Sequence, residues 1–400
     1  MSEDESRYAH RGVSSLKRDV HRAIAKLDQG LFPGAFCKIL PDHLGSDPLY
    51  CNIQHADGAG TKSSLAYLVW KLTGNLDVWR GIAQDSLVMN LDDIGCIGNT
   101  GPFLISSIIG RNKALIPGEI LKALIEGSQE FCDLLSDLGI PCHFSGGETA
   151  DIGDLNRTIT VDNVITARMR RADVIDASKI KAPALIVGFS STGQARWEKE
   201  PNSGIGSNGL TNARHDVLAP FYRTHKETYA PETNPKLIYC GKYTLDEPLP
   251  GDERFTIKSA LLSSTRIYLP LLTELLDCVG GRDYLLGIIH CSGGGQTKIG
   301  KFGGSGIIYR KNNLFPIPPL FRVLQNVRNL TWYEMYSSYS MGHRLEVVVP
   351  SHNLADECID VARECNIDAQ VIGEVIPNPE NQSGREVLIQ SSEGEFSYKF

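Results

Sequence analysis

The sequence predicts an α+β fold with two domains. Its 400 residues exceed the roughly 100–200 residues that are usual for one domain, so two are expected. Apolar residues make up 42% and charged residues 22% of the chain, which is ordinary for a protein with a large buried core. Strand-like and helix-like stretches alternate without the regular rhythm of a doubly wound parallel sheet, and this irregularity favours mixed sheets.

The first domain is predicted over residues 1–172. Apolar residues at helical spacing predict an amphipathic helix near the start; they are Leu16, Val20, Ile24 and Leu27. The clearest helix is 117–139, where Pro117 suits the first turn and Gly139 the end. The other predicted elements are a strand at 51–54, helices from Ser63 and over 82–94, and strands at 103–110, 141–144 and 158–169.

The second domain is predicted over residues 173–400. The boundary is placed in the polar segment 170–183, which ends in proline and separates two series of strands and helices. Residues 225–256 carry many Pro, Thr, Glu and Lys, which predicts a surface insertion. Predicted strands lie at 184–190, 284–290, 344–350, 369–376 and 385–390, and predicted helices at 208–218, 265–278 and 352–365.

Charge and hydropathy argue against nucleic acid and membrane as partners. The formal net charge is −7 and no block of basic residues stands out, so nucleic acid is not expected. No run of about 18 apolar residues exists, so no transmembrane helix is expected. The N-terminal stretch MSEDESRYAHRG is polar and has no apolar signal region, which predicts a cytoplasmic location. The ten cysteines form no CxxC or zinc spacing, so reduced packing residues are expected, with a metal or redox role as the alternative.

The stretch HADGAGTKSS at 55–64 has the composition of a phosphate-binding loop but not its spacing. The P-loop pattern requires glycine directly before lysine, and here Thr61 stands between Gly60 and Lys62. The stretch also contains Asp57, whose negative charge would repel a free phosphate. A nucleoside triphosphate arrives with Mg²⁺, however, and Mg²⁺ takes both carboxylate and phosphate oxygens. The stretch is therefore consistent with a loop for metal-bound phosphate.

A second glycine stretch, GIGSNG at 204–209, matches the dinucleotide pattern G-x-G-x-x-G. A dinucleotide loop follows its strand directly, whereas the nearest predicted strand here ends about fourteen residues earlier. A flexible loop in which Ser207 or Asn208 caps the next helix is the simpler interpretation.

Two further acidic clusters strengthen the metal interpretation. Asp92 and Asp93 interrupt an otherwise apolar helical run, and Glu148 lies in the glycine-rich stretch SGGETADIGD. Taken separately, Asp92 is explained as a helix surface residue and Glu148 as the cap of a turn. Three acidic clusters in glycine or apolar surroundings favour a shared metal site over three unrelated features.

Seven motifs in the same order resemble the aminoimidazole ribonucleotide synthetases, also called phosphoribosylformylglycinamidine cyclo-ligases. They span about residues 50 to 390 and are HADGAGTKSSLA, MNLDDIGCIGNTGP, SGGETAD, GSNGLTNARHDVL, STRIYLPLLTELL, IIHCSGGG and EMYSSYSMG. The resemblance implies two α+β domains per chain, with the N-terminal domains pairing across a homodimer. It also implies a ligase of purine biosynthesis that uses ATP to activate the formyl oxygen of formylglycinamidine ribonucleotide before ring closure. A divergent non-catalytic ATP-binding homologue and another ATP-dependent synthetase of the superfamily are the alternatives.

The resemblance also implies roles for individual residues, with ATP and Mg²⁺ as the bound cofactors. The implied ATP-binding residues are Asp57, Gly58, Gly60, Thr61, Lys62, Gly146, Gly147, Glu148 and Thr149. The implied catalytic residues are Lys62 and Asp93, and the implied Mg²⁺ ligands are Asp57, Asp93 and Glu148. The implied substrate-binding residues are Ser207, Asn208, Arg266, Gly293, Gly294, Gly295 and Thr297, with Arg266 as a phosphate clamp.

The chain departs from the family pattern at several motif positions. Gly206 stands where the family often has His, and Asp92 replaces Asn. The segment QTKIGKF at 296–302 replaces F-x-E-N-x-P-R, and SMGHR places His343 and Arg344 where small residues are usual. These changes are compatible with a divergent subfamily, an altered specificity or a lost activity.

Overall fold

Two mixed β-sheets covered by helices form the framework of the protein in this computed structural model, which describes residues 9–13, 18–278 and 281–400. The first sheet has five strands and the second has seven. In each sheet one pair of neighbouring strands is parallel and the other pairs are antiparallel. The predicted α+β class with mixed sheets is therefore confirmed.

The first sheet and its helices come from the N-terminal part of the chain. The elements are α1 (Arg18–Ile24), β1 (Ile39–Pro41), β2 (Tyr50–Gly58), α2 (Lys62–Thr73), α3 (Asp77–Gly95), β3 (Phe103–Arg111), α4 (Gly118–Asp137), β4 (Cys142–Asp151) and β5 (Ile159–Arg170). The strand order is β1-β2-β5-β3-β4, with β3 and β4 parallel. The predicted helix at 117–139 is confirmed as α4, while α3 begins five residues before the predicted helix at 82–94.

Two predicted glycine loops are strands for part of their length. β2 continues through Gly58, and β4 continues through the GGET motif to Asp151, because both segments pair along their whole length with a neighbouring strand. The register of β3 against β4 shifts between Ile105 and Ser107. At this irregularity the carbonyl oxygen of Ser107 lies where a side chain on Gly147 would begin, so glycine is needed for close approach rather than for a turn.

The N-terminal amphipathic helix is only partly within the described residues. Leu16 lies outside them, and α1 ends at Ile24. Ile24 and Leu27 are exposed, so the other described residues do not cover this part of the apolar stripe.

The second sheet comes from the remainder of the chain. Its part of the fold contains β6 (Ala184–Ser190), β7 (Thr192–Gly193), β8 (Asn202–Ser203), α5 (Leu210–Val217), α6 (Ile257–Leu262), α7 (Leu269–Cys278), β9 (Gly287–His290), β10 (Ile307–Lys311), α8 (Pro319–Arg328), α9 (Trp332–Ser338), β11 (His343–Val349), α10 (His352–Glu364), β12 (Ala369–Pro377), β13 (Arg385–Ser391) and β14 (Gly394–Lys399). The strand order is β14-β13-β10-β12-β6-β11-β9, while β7 and β8 form a separate two-stranded ladder. The sequence interpretation missed α6, α8, α9, β10, β14 and the two-residue strands β7 and β8.

The segment 225–256 is not only a surface insertion. It contains short 3-10 turns and few hydrogen-bonded elements, as its composition predicts. Tyr239 and Leu249 are nevertheless almost fully buried in the core of the second part. The prediction was wrong here because a few apolar residues suffice to anchor a largely polar segment.

Helix α3 lies between the two halves. It packs on β2 and β5 of the first sheet, on α4, and on α7 of the second half. This position explains why its C-terminal two-thirds is buried on every side. The predicted boundary at residues 172 and 173 falls between the last strand of the first sheet and the first strand of the second; that these are separate domains stays a prediction. None of the described helices is both long enough and apolar enough to cross a lipid bilayer.

Candidate active site

The connection between β2 and α2 holds the first group of predicted ATP-binding residues. The Asp57 side chain is exposed, and its Oδ1 accepts a hydrogen bond from the backbone N–H of Gly58 at 2.7 Å. Gly60 has a φ of +58°, a left-handed conformation that glycine adopts without strain. The hydroxyl of exposed Thr61 lies 2.7 Å from the hydroxyl of Thr211 on α5. The loop therefore lies where the two halves of the chain meet.

Lys62, at the start of α2, is completely buried. Its Nζ donates to Asp85 Oδ1 at 2.9 Å and to the carbonyl oxygen of Ser263 at 2.5 Å. Burial lowers the pKa of Lys62, and Asp85 offsets part of that effect. Lys62 is therefore not a solvated residue, although it lies in the first turn of α2. Its ammonium is committed to an ion pair that joins α2, α3 and the segment before α7, so a direct role at a phosphate stays a prediction.

Asp92 connects α3 to α7. Its Oδ1 accepts hydrogen bonds from the backbone N–H groups of Tyr268 and Leu269, both at 3.0 Å. Tyr268 directly precedes α7 and Leu269 is its first residue, and backbone N–H groups at a helix start lack partners within the helix. Burial raises the pKa of Asp92 well above the ordinary range of a carboxyl, despite the two donors. The alternative of a helix surface residue is wrong, because Asp92 is fully buried.

Asp93, the next residue on α3, is the centre of a chain of polar contacts. Its Oδ1 lies 2.7 Å from Nδ1 of His290, and its Oδ2 lies 3.5 Å from Nε2 of His55. The other ring nitrogens are also engaged, since His290 Nε2 lies 3.2 Å from Arg344 Nη2 and His55 Nδ1 lies 2.8 Å from Asn90 Oδ1. Burial lowers the pKa of His290. Burial by itself would raise the pKa of Asp93, but the hydrogen bond from His290 lowers it. An ionised carboxylate therefore lies beside a neutral imidazole.

The predicted substrate-binding loops face each other. A side chain on Gly293 would begin 3.8 Å from Nδ2 of Asn208, and Ser207 Oγ lies 3.3 Å from the hydroxyl of Thr265. Neither Ser207 nor Asn208 caps α5, which begins after Gly209 without a side-chain cap, so the capping interpretation is wrong. The Oδ1 atom of Asn208 is buried and accepts no hydrogen bond from the described residues.

Two glycines of the run after β9 adopt left-handed backbone conformations. Gly294 and Gly295 both have positive φ, and Thr297 Oγ1 donates to the carbonyl oxygen of Gly294 at 2.9 Å. Gly293 is exposed, so its backbone is accessible beside Asn208. These contacts bring Gly293 beside Asn208, while the role of the predicted substrate-binding residues as ligands stays a prediction.

Arg266 does not have a free guanidinium fork. Its Nε and Nη2 donate to the two carboxylate oxygens of Glu198 at 3.0 and 2.6 Å. Its Nη1 donates to the carbonyl oxygens of Ser190 and Thr192 at 2.9 and 2.8 Å. The side chain is 1% exposed. This arrangement argues against the predicted phosphate clamp, because a bidentate contact to a carboxylate uses the geometry that a phosphate would need.

Glu148 lies far from Asp57 within one chain. Across the first sheet, Gly58 pairs with Asp162, Asp162 pairs with Ile108, and Ile108 pairs with Glu148. Three strand spacings separate the ends of this row, which is about 14 Å. Gly146, Gly147 and Thr149 share this edge strand, and Glu148 Oε1 accepts from the backbone N–H of Thr149 at 3.0 Å. One chain therefore does not bring Glu148 to the same ion as Asp57, and the shared Mg²⁺ site stays a prediction that requires a second copy.

The described residues contain one group of three potential metal ligands close together, namely Cys291, His343 and Glu346. All three are buried. Glu346 Oε1 accepts from Cys291 Sγ at 3.2 Å and lies 2.9 Å from His343 Nε2. The Lys311 ammonium contacts the same oxygen. Because Lys311 already supplies the positive charge at that oxygen, the group forms a buried ion-pair network.

Two family models match the chain. AIR synthase related protein, N-terminal domain, matches residues 45–169, and AIR synthase related protein, C-terminal domain, matches residues 302–384. The two matches together span more than half of the sequence. The chain belongs to the AIR synthase related family. The resemblance inferred from the seven motifs is thereby confirmed.

Members of this family with established names are similar along most of the chain. A phosphoribosylformylglycinamidine cyclo-ligase from Methanococcus vannielii is 29% identical over 81% of this chain and 77% of its own length. A protein of the same name from Acetivibrio thermocellus is 25% identical over 93% of this chain and 94% of its own length. The similarity therefore includes both halves.

Solved structures show the same fold. A chain in the structure described as a HypE-HypF complex superposes with a TM-score of 0.55 at 12% identity, over 95% of this chain and 98% of that one. A chain described as AaThiL complexed with AMPPCP and TMP superposes with a TM-score of 0.50 at 10% identity, over 96% of both chains. At these identities the likeness is one of fold.

The sequence interpretation missed several residues of the site. His55 is the first residue of HADGAGTKSSLA and His290 lies within IIHCSGGG, so both stood in recognised motifs without an assigned role. Arg344 was recognised only as a departure from the family pattern. Asp85 and Glu198 carry no motif signal, because their importance comes from burial beside Lys62 and Arg266.

Proposed function

We propose that this protein is an ATP-dependent ligase of purine biosynthesis that closes formylglycinamidine ribonucleotide to aminoimidazole ribonucleotide. The observation that carries the proposal is the name shared by relatives that are 25–29% identical along most of the chain. The arrangement of the motifs supports it, since His55 on β2 and His290 on β9, which belong to two different motifs, both contact Asp93 on α3.

The donor chemistry around Asp93 fits a Mg²⁺-bound nucleotide. Asp57 offers an exposed carboxylate and Asp93 an ionised one, and Mg²⁺ prefers such oxygen ligands. Gly58 and Gly60 lack side chains that would keep phosphate away from the backbone N–H groups. Asp57 and Asp93 would hold the ion from one chain, and Glu148 would come from a partner copy. When bound, Mg²⁺ would neutralise charge on the transferring phosphoryl group.

The proposed reaction has two steps. The formyl oxygen attacks the γ-phosphorus of ATP, and the bond from that phosphorus to ADP breaks. An amidine-side nitrogen then attacks the former formyl carbon, phosphate leaves with the oxygen, and the nitrogen loses a proton. In both steps the chain mainly positions and neutralises charge, which is most of what phosphoryl transfer requires.

Lys62 and Asp93 contribute differently. The hydrogen bond from neutral His290 keeps Asp93 ionised and oriented. Lys62 points at Asp85 and not at solvent, so its proposed contribution is to hold the start of α2, and hence the glycine loop, against α3. The loop is thereby kept in one position for the nucleotide.

Turnover with the proposed substrate tests the function. Purified protein with ATP, Mg²⁺ and formylglycinamidine ribonucleotide should release ADP and form the imidazole product, measured together by mass spectrometry. Asp93→Asn should lower turnover by about 10²-fold or more, because it removes a charge at the reacting centre. Asp356→Asn, at an exposed residue on α10 that belongs to none of the site motifs, is the matched control and should behave as the wild type.

The outcomes separate the alternatives. ATP binding without ADP release under these conditions would indicate a non-catalytic homologue. ADP release only with a different acceptor would indicate another synthetase of the superfamily. Neither alternative is favoured by the names of the relatives.

We also propose a cytoplasmic homodimer that does not bind nucleic acid. The outer face of the first sheet exposes Leu104 and Ile108 on β3 by 54% and 49%, an apolar pair that a second copy would cover. The net charge of −7 disfavours attraction to a nucleic-acid backbone.

A further inference from the structure

Arg344 is a buried cation whose burial is not explained by a salt bridge. It lies on β11, is 2% exposed, and forms no ion pair with any residue that the structure describes. Its Nη2 lies 3.2 Å from His290 Nε2 and 3.9 Å from Met89 Sδ. Moving a guanidinium from water into the interior costs free energy unless an opposite charge or hydrogen-bond acceptors compensate for the lost hydration. The position of Arg344 must therefore be understood from its neighbours.

Gly206 provides the space that the guanidinium occupies. A Cβ atom built on Gly206 would lie 2.6 Å from Cζ of Arg344 and closer still to Nη1, and real Cβ atoms essentially never come within 3.0 Å of another group in this way. The two residues are 138 positions apart in the numbering, yet a side chain at position 206 would require the guanidinium of Arg344 to move from its present place. In the pattern that the motif resemblance implies, the residue at position 206 is often His and the residue at position 344 is small. This chain has a smaller residue at position 206 and a larger one at position 344.

The contacts of His290 with Arg344 and with Asp93 agree on which ring nitrogen carries the proton. A guanidinium has only donors, so Nε2 of His290 must accept from Nη2. The proton of the neutral ring is then on Nδ1, which donates to Asp93 Oδ1 at 2.7 Å. Arg344 therefore reaches Asp93 through the ring of His290.

We propose that Gly206 and Arg344 form a compensating pair, in which the guanidinium fills the space of the absent side chain at position 206 and positions His290 against Asp93. Arg344 is a positioning residue in this arrangement, since it acts on Asp93 only through His290. The packing of Arg344 against Gly206 does not depend on any activity of the protein. The effect of Arg344 on turnover rests on the proposed function.

A neighbouring contact shows the same matching of altered segments. Gln296, the first residue of QTKIGKF, places its Nε2 3.2 Å from the carbonyl oxygen of His343 and 3.3 Å from its Nδ1. His343 belongs to SMGHR, the other altered segment. Two segments that depart from the family pattern thus contact each other directly through Nε2 of Gln296, while its Oε1 is buried and accepts no hydrogen bond from the described residues.

A double-mutant cycle in stability tests the steric part. Gly206→Ala is compared with Gly193→Ala as a matched control. Both glycines have a positive φ, +61° for Gly206 and +82° for Gly193, but a Cβ added to Gly193 would meet no atom within 4 Å. In the wild-type background, Gly206→Ala should shift the unfolding equilibrium at least about tenfold further than the control, because contacting residues are not additive. In an Arg344→Ala background the two glycine substitutions should agree within about threefold. The same excess in both backgrounds would overturn the pair.

Nitrogen NMR of the histidine side chains tests the positioning part. In the wild type, His290 should be the Nδ1–H tautomer with its Nδ1 proton hydrogen-bonded to Asp93. In Arg344→Ala, the Nε2 signal should change because its donor is lost, and the Nδ1–H signal should indicate a weaker hydrogen bond to Asp93 because the ring is no longer held from its other side. An Nε2–H tautomer in the wild type would overturn the proposal without any variant, so a variant that fails to fold does not remove the test.

Turnover supplies the last comparison. Arg344→Gly and Gly206→His should each lose at least about tenfold in kcat, and the double variant should recover part of that loss. Losses that simply multiply in the double variant would contradict a compensating pair. If the wild type forms no imidazole product, the proposed function fails, while the stability cycle and the tautomer still decide whether Gly206 and Arg344 form a pair.

Discussion

At the scale of single residues, the ion pair of Lys62 and Asp85 joins three segments that are distant in sequence. Asp85 Oδ1 accepts from Lys62 and also from the backbone N–H and hydroxyl of Thr265, at 2.7 and 2.6 Å. The pair is completely shielded from water. Taking both charges out of water costs free energy that offsets much of their mutual attraction. Removing only one of the two partners, however, would leave an uncompensated buried charge and destabilise the fold.

Removing the ammonium should therefore destabilise the protein before it affects chemistry. Lys62→Met leaves Asp85 buried without its counter-charge and should lower the free energy of unfolding by about 3–5 kcal/mol. Lys71→Met, at an exposed lysine of the same helix, should change it by less than about 0.5 kcal/mol. Lys62→Met combined with Asp85→Leu should recover part of the loss in chemical denaturation. Equal effects of Lys62→Met and Lys71→Met would contradict the buried pair.

At the scale of elements, β11 carries three polar side chains into the interior of the second sheet. His343, Arg344 and Glu346 are all buried on a strand that is paired on both sides, with β6 and β9. Arg344 points towards His290, while His343 and Glu346 contact Lys311 or each other. One strand thus supplies both the positioning contact at the site and a separate charged cluster.

The charged cluster should make stability sensitive to acid. Burial by itself would raise the pKa of Glu346, but Lys311 and His343 lower it to about 2. Its stabilising contribution is therefore complete above its ordinary pKa and is lost as the pH falls towards 2. Burial lowers the pKa of His343, so its protonation below about pH 6.5 also favours the unfolded chain.

Glu346→Gln should be less stable than the wild type at pH 7 and should lose less stability between pH 5 and pH 3, as measured by urea unfolding at each pH. Glu357→Gln, at an exposed carboxylate on α10, is the control and should follow the wild type at every pH. A pH dependence in Glu346→Gln as steep as that of the wild type would place the acid-sensitive groups elsewhere.

At the scale of the whole molecule, the first sheet keeps Glu148 too far from Asp57 for both to bind one Mg²⁺ ion within a single chain. Helices α3 and α4 cover one face of the sheet, and Leu104 and Ile108 lie exposed on the other. Glu148 lies three strands away from Asp57. Pairing of two first sheets would cover the apolar face and is the arrangement in which Glu148 could approach a partner's Asp57.

Leu104→Lys should dissociate the proposed dimer, because it places a charge in the centre of an interface expected to bury more than about 2,000 Å². Sedimentation at micromolar concentration should show a dimer for the wild type and a monomer for the variant. ADP formation should fall with the dimer if Glu148 acts across the interface. Leu155→Lys, at a loop residue that is 81% exposed, is the control and should stay dimeric and active. A monomeric wild type with full activity would refute this assembly.

Much of the fold follows from local patterns in the sequence. The helix α4 was predicted within two residues at each end, because its apolar spacing and its terminal Pro117 and Gly139 act locally. The lengths of strands β2 and β4 depend on strand pairing. Asp57 and Glu148 lie on strands that are longer than their glycine-rich sequences predict, because each segment hydrogen-bonds to a strand that is distant in sequence.

By itself, the sequence determined the fold class, the family and the loops that line the candidate site, since these depend on residue order and short-range spacing. Only the tertiary structure decided which charges are free and which are paired. Arg266 is committed to Glu198 and Lys62 to Asp85, although both have the residue type expected of a phosphate ligand. The physical reason is burial, since the use of a charged side chain depends on which partner faces it after the chain has folded. Gly206 and Arg344 show the same limit, because their shared space exists only where two distant segments meet.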